Sequence, residues 1–88
     1  MATKSFKIGE YAIGGIIKVD INGKVIQVKA LDYYSKKEVM SGSVMSDEYD
    51  AKRKLNNFLH ELTSSYYAGK VMEWIESKVE IRNPYGWH

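Results

Sequence analysis

The hydrophobic pattern of this chain changes period once. From Ile16 to Ile21, and again from Val25 to Tyr34, apolar and largely β-branched residues alternate with polar ones, the period of two that a half-buried strand imposes. Ile17, Val19 and Ile21 share one face with Ile26, Val28 and Ala30 across the connection, and this is the predicted core face. The other face takes Ile16, Lys18 and Asp20 with Val25, Gln27, Lys29, Leu31 and Tyr33. Between the runs stands Asn22-Gly23. As a two-residue loop it would supply the positive φ angles of a type I′ turn, so it predicts a β-hairpin. Ser35-Lys36-Lys37 marks the next turn, and Glu38 to Met45 reads as a third strand thinned by Gly42. Upstream, Phe6, Ile8, Tyr11 and Ile13 alternate loosely among Gly9 and Gly14-Gly15. Residues 5–21 are therefore expected as one strand bent by a bulge at the glycine pair, or as two short strands.

After Met45 the period lengthens. Ser46 is suited to cap a helix N-terminus, and Asp47 and Glu48 suit the positive end of its dipole. Ala51, Leu55, Phe58 and Leu62, widened by Leu59, then form an apolar stripe at helical spacing; Ala68, Val71, Met72, Ile75 and Val79 form a second. At about 100° per residue, one straight helix would point these stripes roughly 135° apart. Two helices broken at Thr63-Ser64-Ser65 or near Gly69 remove the conflict. The expected fold is α+β: a three- or four-stranded antiparallel sheet, a hairpin meander, packed on two C-terminal helices. A single domain spans 1–88, with the sheet over 5–45, the helices over 46–79 and an aromatic tail over 80–88 that ends Tyr85-Gly86-Trp87-His88. Val79, Ile81 and those aromatics are candidates for an edge strand or a cover over the sheet.

Composition narrows the chemistry more than it names it. The chain has 88 residues, no cysteine, and 13 basic against 11 acidic side chains for a net charge of +2. A disulfide framework or thiolate metal site is excluded. The charge is too small to indicate a nucleic-acid binder by itself, and has the wrong sign for an acidic DNA mimic. No apolar stretch follows Met1-Ala2-Thr3-Lys4-Ser5 and none is long enough to span a membrane, so a cytoplasmic location without membrane association is expected. His60 and His88 are far apart, and Glu61 points away from His60 on a helix. Asp47, Glu48 and Asp50 lack the spacing of a calcium loop, and Gly9, Gly14 and Gly15 make no phosphate fingerprint. No serine or threonine has a base and an orienter in pattern. The expectation is a non-catalytic protein without cofactor or metal.

Two features suggest binding instead. Lys52-Arg53-Lys54, with lysines on the sheet and turns, offers phosphate contacts, although three consecutive residues fan around a helix. Seven tyrosines and two tryptophans are many for this length, and Tyr33-Tyr34 and Tyr66-Tyr67 come as doublets. One ring of each doublet is expected to face inward, leaving the other as an interface anchor. With Ile16 and Leu31, Tyr33 would give the outer sheet face an apolar patch.

From Ile17 onward the order is strand, Asn-Gly, strand, turn, strand, Ser-led helix, break, helix, with Val19-Asp20-Ile21-Asn22-Gly23 in the hairpin. This resembles small phage-encoded anti-CRISPR proteins that bind the type I-F surveillance complex. The likeness covers about two thirds of the chain and carries over no contact residue; Asp20 and Leu31 stand where that family presents an aromatic and an acid. Gly42 to Ala51, three strands leading into a Ser/Thr-capped helix, is similar to the arm-type DNA-binding domains of phage integrases, whose sheets are richer in Arg and Lys. What the first resemblance implies is a phage or mobile-element protein that occludes a host protein or ribonucleoprotein complex. The expected contact residues, taken from the residue pattern itself, are Lys18, Lys29, Leu31, Tyr33 and Tyr34, with Tyr66 and Tyr67 as outer members. A small nucleic-acid-binding domain using the sheet, and a homodimer formed through it, are the alternatives.

Overall fold

A computed structural model of the chain describes residues 1–82; Tyr85, Gly86, Trp87 and His88 of the expected tail lie outside the described residues. Four strands, β1 (Ala2–Lys7), β2 (Gly15–Asn22), β3 (Val25–Asp32) and β4 (Glu38–Met45), precede two helices, α1 (Ala51–Leu62) and α2 (Ser65–Lys78). The strands lie side by side in chain order and every neighbouring pair is antiparallel. The architecture is the expected α+β meander with helices after it, and the sheet has four strands.

The hairpin turn sits one residue later than Asn22-Gly23 suggested. Asn22 pairs with Val25, which makes Gly23-Lys24 the two-residue loop. Gly23 has φ +63°, while neither Asn22 nor Lys24 has a positive φ. Glycine alone in the first central position is the requirement of a type II′ turn, not type I′. The core face is unaffected, because both placements leave the same residues on each side of the pleat.

Of the two expectations for residues 5–21, the structure has the two separate strands and not the bulged one. A single 3-10 turn, Gly9–Tyr11, carries the chain over the end of the sheet, and Gly14 and Gly15 re-enter β2 with φ of +76° and +106°. The carbonyl of Gly15 accepts from the N–H of Ile8 at 2.9 Å, and that of Gly14 from the N–H of Tyr33 at 2.7 Å. A β-carbon on Gly14 would stand 2.6 Å from the Leu31 carbonyl oxygen. Only glycine meets both the dihedral and the approach.

Ser46 does not cap a helix. It is buried, its N–H donates to the Lys24 carbonyl at 2.7 Å, and its own carbonyl accepts from the N–H of Arg82 at 2.8 Å. Residues 46–50 make turns, and α1 begins at Ala51. Asp47 pairs with Lys24 at 3.1 Å rather than with a helix terminus. The helices separate at Thr63 and Ser64, where the stripes required a break.

Both helices cover one face of the sheet. Ile17, Val19, Ile26 and Val28 meet Leu55, Leu59, Leu62, Val71 and Ile75 in a core that excludes water. α1 lies over β4, where the Phe58 ring fills the space a side chain on Gly42 would occupy, 3.1 Å from the ideal β-carbon position. α2 lies over β1, with Trp74 edge-on to Phe6 at 6.2 Å. Ile16 departs from expectation. It is only 3% exposed although it points to the outer face and stands apart from the core cluster. The apolar patch expected there shrinks to half-buried Leu31 and exposed Tyr33.

Alanine at the two turn glycines separates dihedral strain from collision. Gly23→Ala, with nothing within 4 Å of the added carbon, should cost about 1 kcal/mol for the left-handed backbone alone. Gly14→Ala should cost about 2–4 kcal/mol because the Leu31 carbonyl must also move. Urea unfolding monitored by circular dichroism measures both, and equal losses would contradict the collision.

Candidate functional site: a pole of tyrosines

Strand direction puts three connections at one end of the molecule. β1 and β3 run toward it, β2 and β4 away, and α1 ends there where α2 begins. The β1–β2 connection is the joint. Ile13 donates its N–H to the Leu62 carbonyl at 2.8 Å, Thr63 donates its hydroxyl to the Tyr11 carbonyl, and Gly14 accepts from Tyr33. Five tyrosines, Tyr11, Tyr33, Tyr34, Tyr66 and Tyr67, therefore gather at this pole. Tyr49 lies at the opposite end, under the Arg82 guanidinium at 5.4 Å.

Each side of the pole is built differently. On the helix side, Tyr67 is half-buried at the start of α2; Tyr11 stacks on it at 5.7 Å and Tyr66 meets it edge-on at 5.1 Å. Tyr66 stays 65% exposed beneath the Lys70 ammonium. On the sheet side, Tyr33 and Tyr34 meet edge-to-face at 5.4 Å, and the Lys36 ammonium sits 4.9 Å over Tyr33. Neither ring turns inward, contrary to the one-in, one-out expectation, and Tyr34 is 90% exposed. An open groove of about 680 Å³ runs from Lys7 and Glu10 past Gly14 to these two rings.

The turn that presents Tyr33 and Tyr34 is held by Asp32. Its carboxylate accepts from the N–H of Ser35 at 2.8 Å and of Tyr34 at 3.1 Å, the local bonding that lets an Asx residue replace strand pairing. Lys36 takes the left-handed backbone, φ 64°, that closes the turn, and its N–H returns to the Asp32 carbonyl at 2.8 Å. The Ser35 N–H, then the Ser35 hydroxyl, the Tyr34 N–H and the Lys36 ammonium hold the Asp32 carboxyl below its usual range.

The remaining expected contacts lie on the sheet face that no helix covers. Lys18 and Lys29 are directly opposite on β2 and β3, half-buried, and flanked by Ser5 and Ser41 on the outer strands. Neither makes an ion pair among the described residues, whereas Asp20 is engaged by the Thr3 hydroxyl at 2.8 Å. Opposed like charges cost a sheet about 0.2–1 kcal/mol. Leu31 is two residues along from Lys29, beside Ile16. The structure thus groups Tyr33, Tyr34, Tyr66 and Tyr67 at the pole and sets Lys18 and Lys29 apart in mid-sheet, with Leu31 between. Tyr11 is the member of the pole that strand periodicity concealed. The signal was its position between Gly9 and Gly14-Gly15, which marks a connection rather than a strand.

Lys52-Arg53-Lys54 is an ordinary solvated cluster. Lys52 reaches Glu76 at 3.7 Å, Lys54 reaches Glu48 at 3.7 Å, and Arg53 pairs with Asp50. Among the described residues no three His, Cys, Asp or Glu side chains converge on a metal-sized site, and no helix is long and apolar enough to cross a membrane. No family model matches this chain, and no curated protein or solved structure matches it either.

The depressed Asp32 pKa sets a pH dependence with a definite sign. A folded-state pKa below the unfolded one contributes stability above the unfolded value, and that contribution is lost as pH falls through the folded one. The Tyr34 and Ser35 amides should therefore lose protection on acidification below the normal aspartate range, before the core melts. Amide exchange and the Asp32 carboxyl shift by NMR follow this. A titration at or above the ordinary aspartate value would contradict the assignment.

Proposed function

We propose that this chain is a non-catalytic binding protein that inhibits a host defence complex by covering a surface that complex needs. The observation that carries the reading is the pole: five tyrosines from three separate connections, four of them substantially exposed, with an open groove beside Tyr33 and Tyr34. A folded domain gains nothing for its own core from Tyr34 at this exposure. Tyrosine gives a partner large contact area for two rotatable bonds, with a hydroxyl at the tip to satisfy. The rings pack on each other, and Asp32 and Thr63 fix the backbone at Tyr34 and Tyr11, which lowers the ordering entropy lost on binding. Inhibition by occlusion requires only such a rigid surface.

Tyr33, Tyr34, Tyr66 and Tyr11 are the anchors in this reading. Leu31 continues the contact along the sheet, and Lys18 and Lys29 meet acidic groups of the partner. The target class, a protein or ribonucleoprotein complex of a bacterial cell attacked by phage or another mobile element, follows from the likeness of element order to type I-F anti-CRISPR proteins. The unpaired Lys18–Lys29 pair favours a second reading, direct binding of nucleic-acid phosphates on the open sheet face.

Affinity capture from bacterial lysate, with and without nuclease, distinguishes the two. A stoichiometric protein complex that survives nuclease supports the inhibitor; loss of every partner supports phosphate binding, with affinity falling steeply in salt. Tyr34→Ala and Tyr66→Ala should each weaken the captured complex about tenfold or more, the level of an interface hot spot. Their melting temperatures should stay unchanged, since both rings are mostly in water. Undiminished capture by the Tyr33→Ala, Leu31→Ala double variant would remove that edge from the contact.

A further inference from the structure

The two edges of the sheet are not equivalent. β1 carries Lys4 and Lys7, the charges with which proteins discourage edge-to-edge pairing. β4, the other edge, has neither lysine nor proline over its eight residues, and Val39, Met40 and Met45 are all substantially exposed. Its pairing with β3 is regular from Met40 to Met45, and the single register shift leaves Val39 as the extra residue next to Glu38, so the regular rungs are those inside Met40 to Met45. An edge strand with exposed apolar residues and neither lysine nor proline is a template for another strand.

The order of residues along β4 says which strand. Val39-Met40-Ser41-Gly42-Ser43-Val44-Met45 is symmetric in chemistry about Gly42. In antiparallel self-pairing centred there, Gly42 would face Gly42 of a second copy, and Ser41 would face Ser43. Met40 would face Val44, and Val39 would face Met45. Every rung then matches apolar with apolar and hydroxyl with hydroxyl. An unrelated strand would place no such demand on the sequence; a twofold axis does, because each residue must meet its counterpart twice. We propose that β4 pairs with β4 of a second copy of this chain, making one continuous eight-stranded sheet.

The rest of the molecule accommodates this symmetry. The axis stands perpendicular to the sheet, so the helices of both copies stay on one side. Phe58, half-buried over Gly42, would come beside the axis and face its equivalent, adding an aromatic contact at the centre of the interface. The pairing also closes: it consumes both β4 edges and leaves only lysine-bearing β1 edges outside, so no open fibre follows. Antiparallel pairing would set the two tyrosine poles at opposite ends, each free. The inference is independent of what those poles bind.

Sedimentation or light scattering should give about 20 kDa at micromolar concentration, twice the 10.1 kDa chain. Ser41→Glu with Ser43→Glu places like charges on facing rungs and should weaken the dimer at least tenfold. Ser41→Glu with Ser43→Lys places opposite charges there and should keep it. In both, Glu at position 41 lies beside Lys29 within the chain, so the fold is not opposed, and circular dichroism checks it. A wild-type chain that remains 10 kDa at about 200 µM overturns the proposal, whether residues 83–88 or another protein's strand takes the edge. A dimer unaffected by the Glu/Glu pair overturns the β4 assignment. Should the Glu/Glu variant not fold, loss of the dimer in the Glu/Lys variant overturns it equally.

Discussion

Two backbone groups on adjacent residues, the N–H of Ile13 and the carbonyl of Gly14, tie this fold together at the tyrosine pole. One bonds the last turn of α1 and the other the first residue beyond β3. Backbone N–H and carbonyl groups are paired in folded chains, and a connection with no strand of its own finds its partners elsewhere. Here it finds them in two different layers at once. The same segment then fixes where the sheet ends, where the helices break and where the tyrosines point. Gly14 makes this feasible, since any side chain there would push the Leu31 carbonyl away.

Among the described residues the sheet is asymmetric, because both helices pack on the same face. The covered face is apolar along its length. The open one carries Thr3, Ser5, Lys18, Asp20, Gln27, Lys29, Ser41 and Ser43 through its middle. Ile16 is the exception, closed off near the pole without joining the core. With the open face this polar, exposed apolar side chains cluster at the pole and along β4, and Met1, Val25 and Tyr49 are exposed outside those two places.

At the other end, Ser46 shows how a local signal is overridden. Its hydroxyl was suited to a helix terminus, but its backbone bridges the β2–β3 turn and the returning segment at Arg82. Satisfying both groups buries the residue and postpones the helix to Ala51. The acids behind it then pair with Lys24, Lys54 and Arg53 rather than with a helix dipole. The basic cluster of α1 is paired with acids, whereas Lys18 and Lys29, like Lys4 and Lys7 of β1, have no acid partner among the described residues.

Periodicity alone determined which residues face the core, because side-chain direction in a strand or helix is a matter of spacing. Ile17, Val19 and Ile21 against Ile26, Val28 and Ala30, the bounds of β4, and the break between α1 and α2 all follow from it. The hairpin face survived a one-residue error in the turn for the same reason: parity is insensitive to whether Asn22 or Lys24 completes the loop. Spacing carries no information about which distant backbone group a carbonyl will meet. Tertiary structure therefore decided that Gly9 to Gly15 is a joint and not a bulged strand, that Ser46 is a bridge and not a cap, and that Tyr11 belongs with Tyr33, Tyr34, Tyr66 and Tyr67. Those tyrosines are spread over 56 positions of the chain, and only hydrogen bonds between layers bring them to one end.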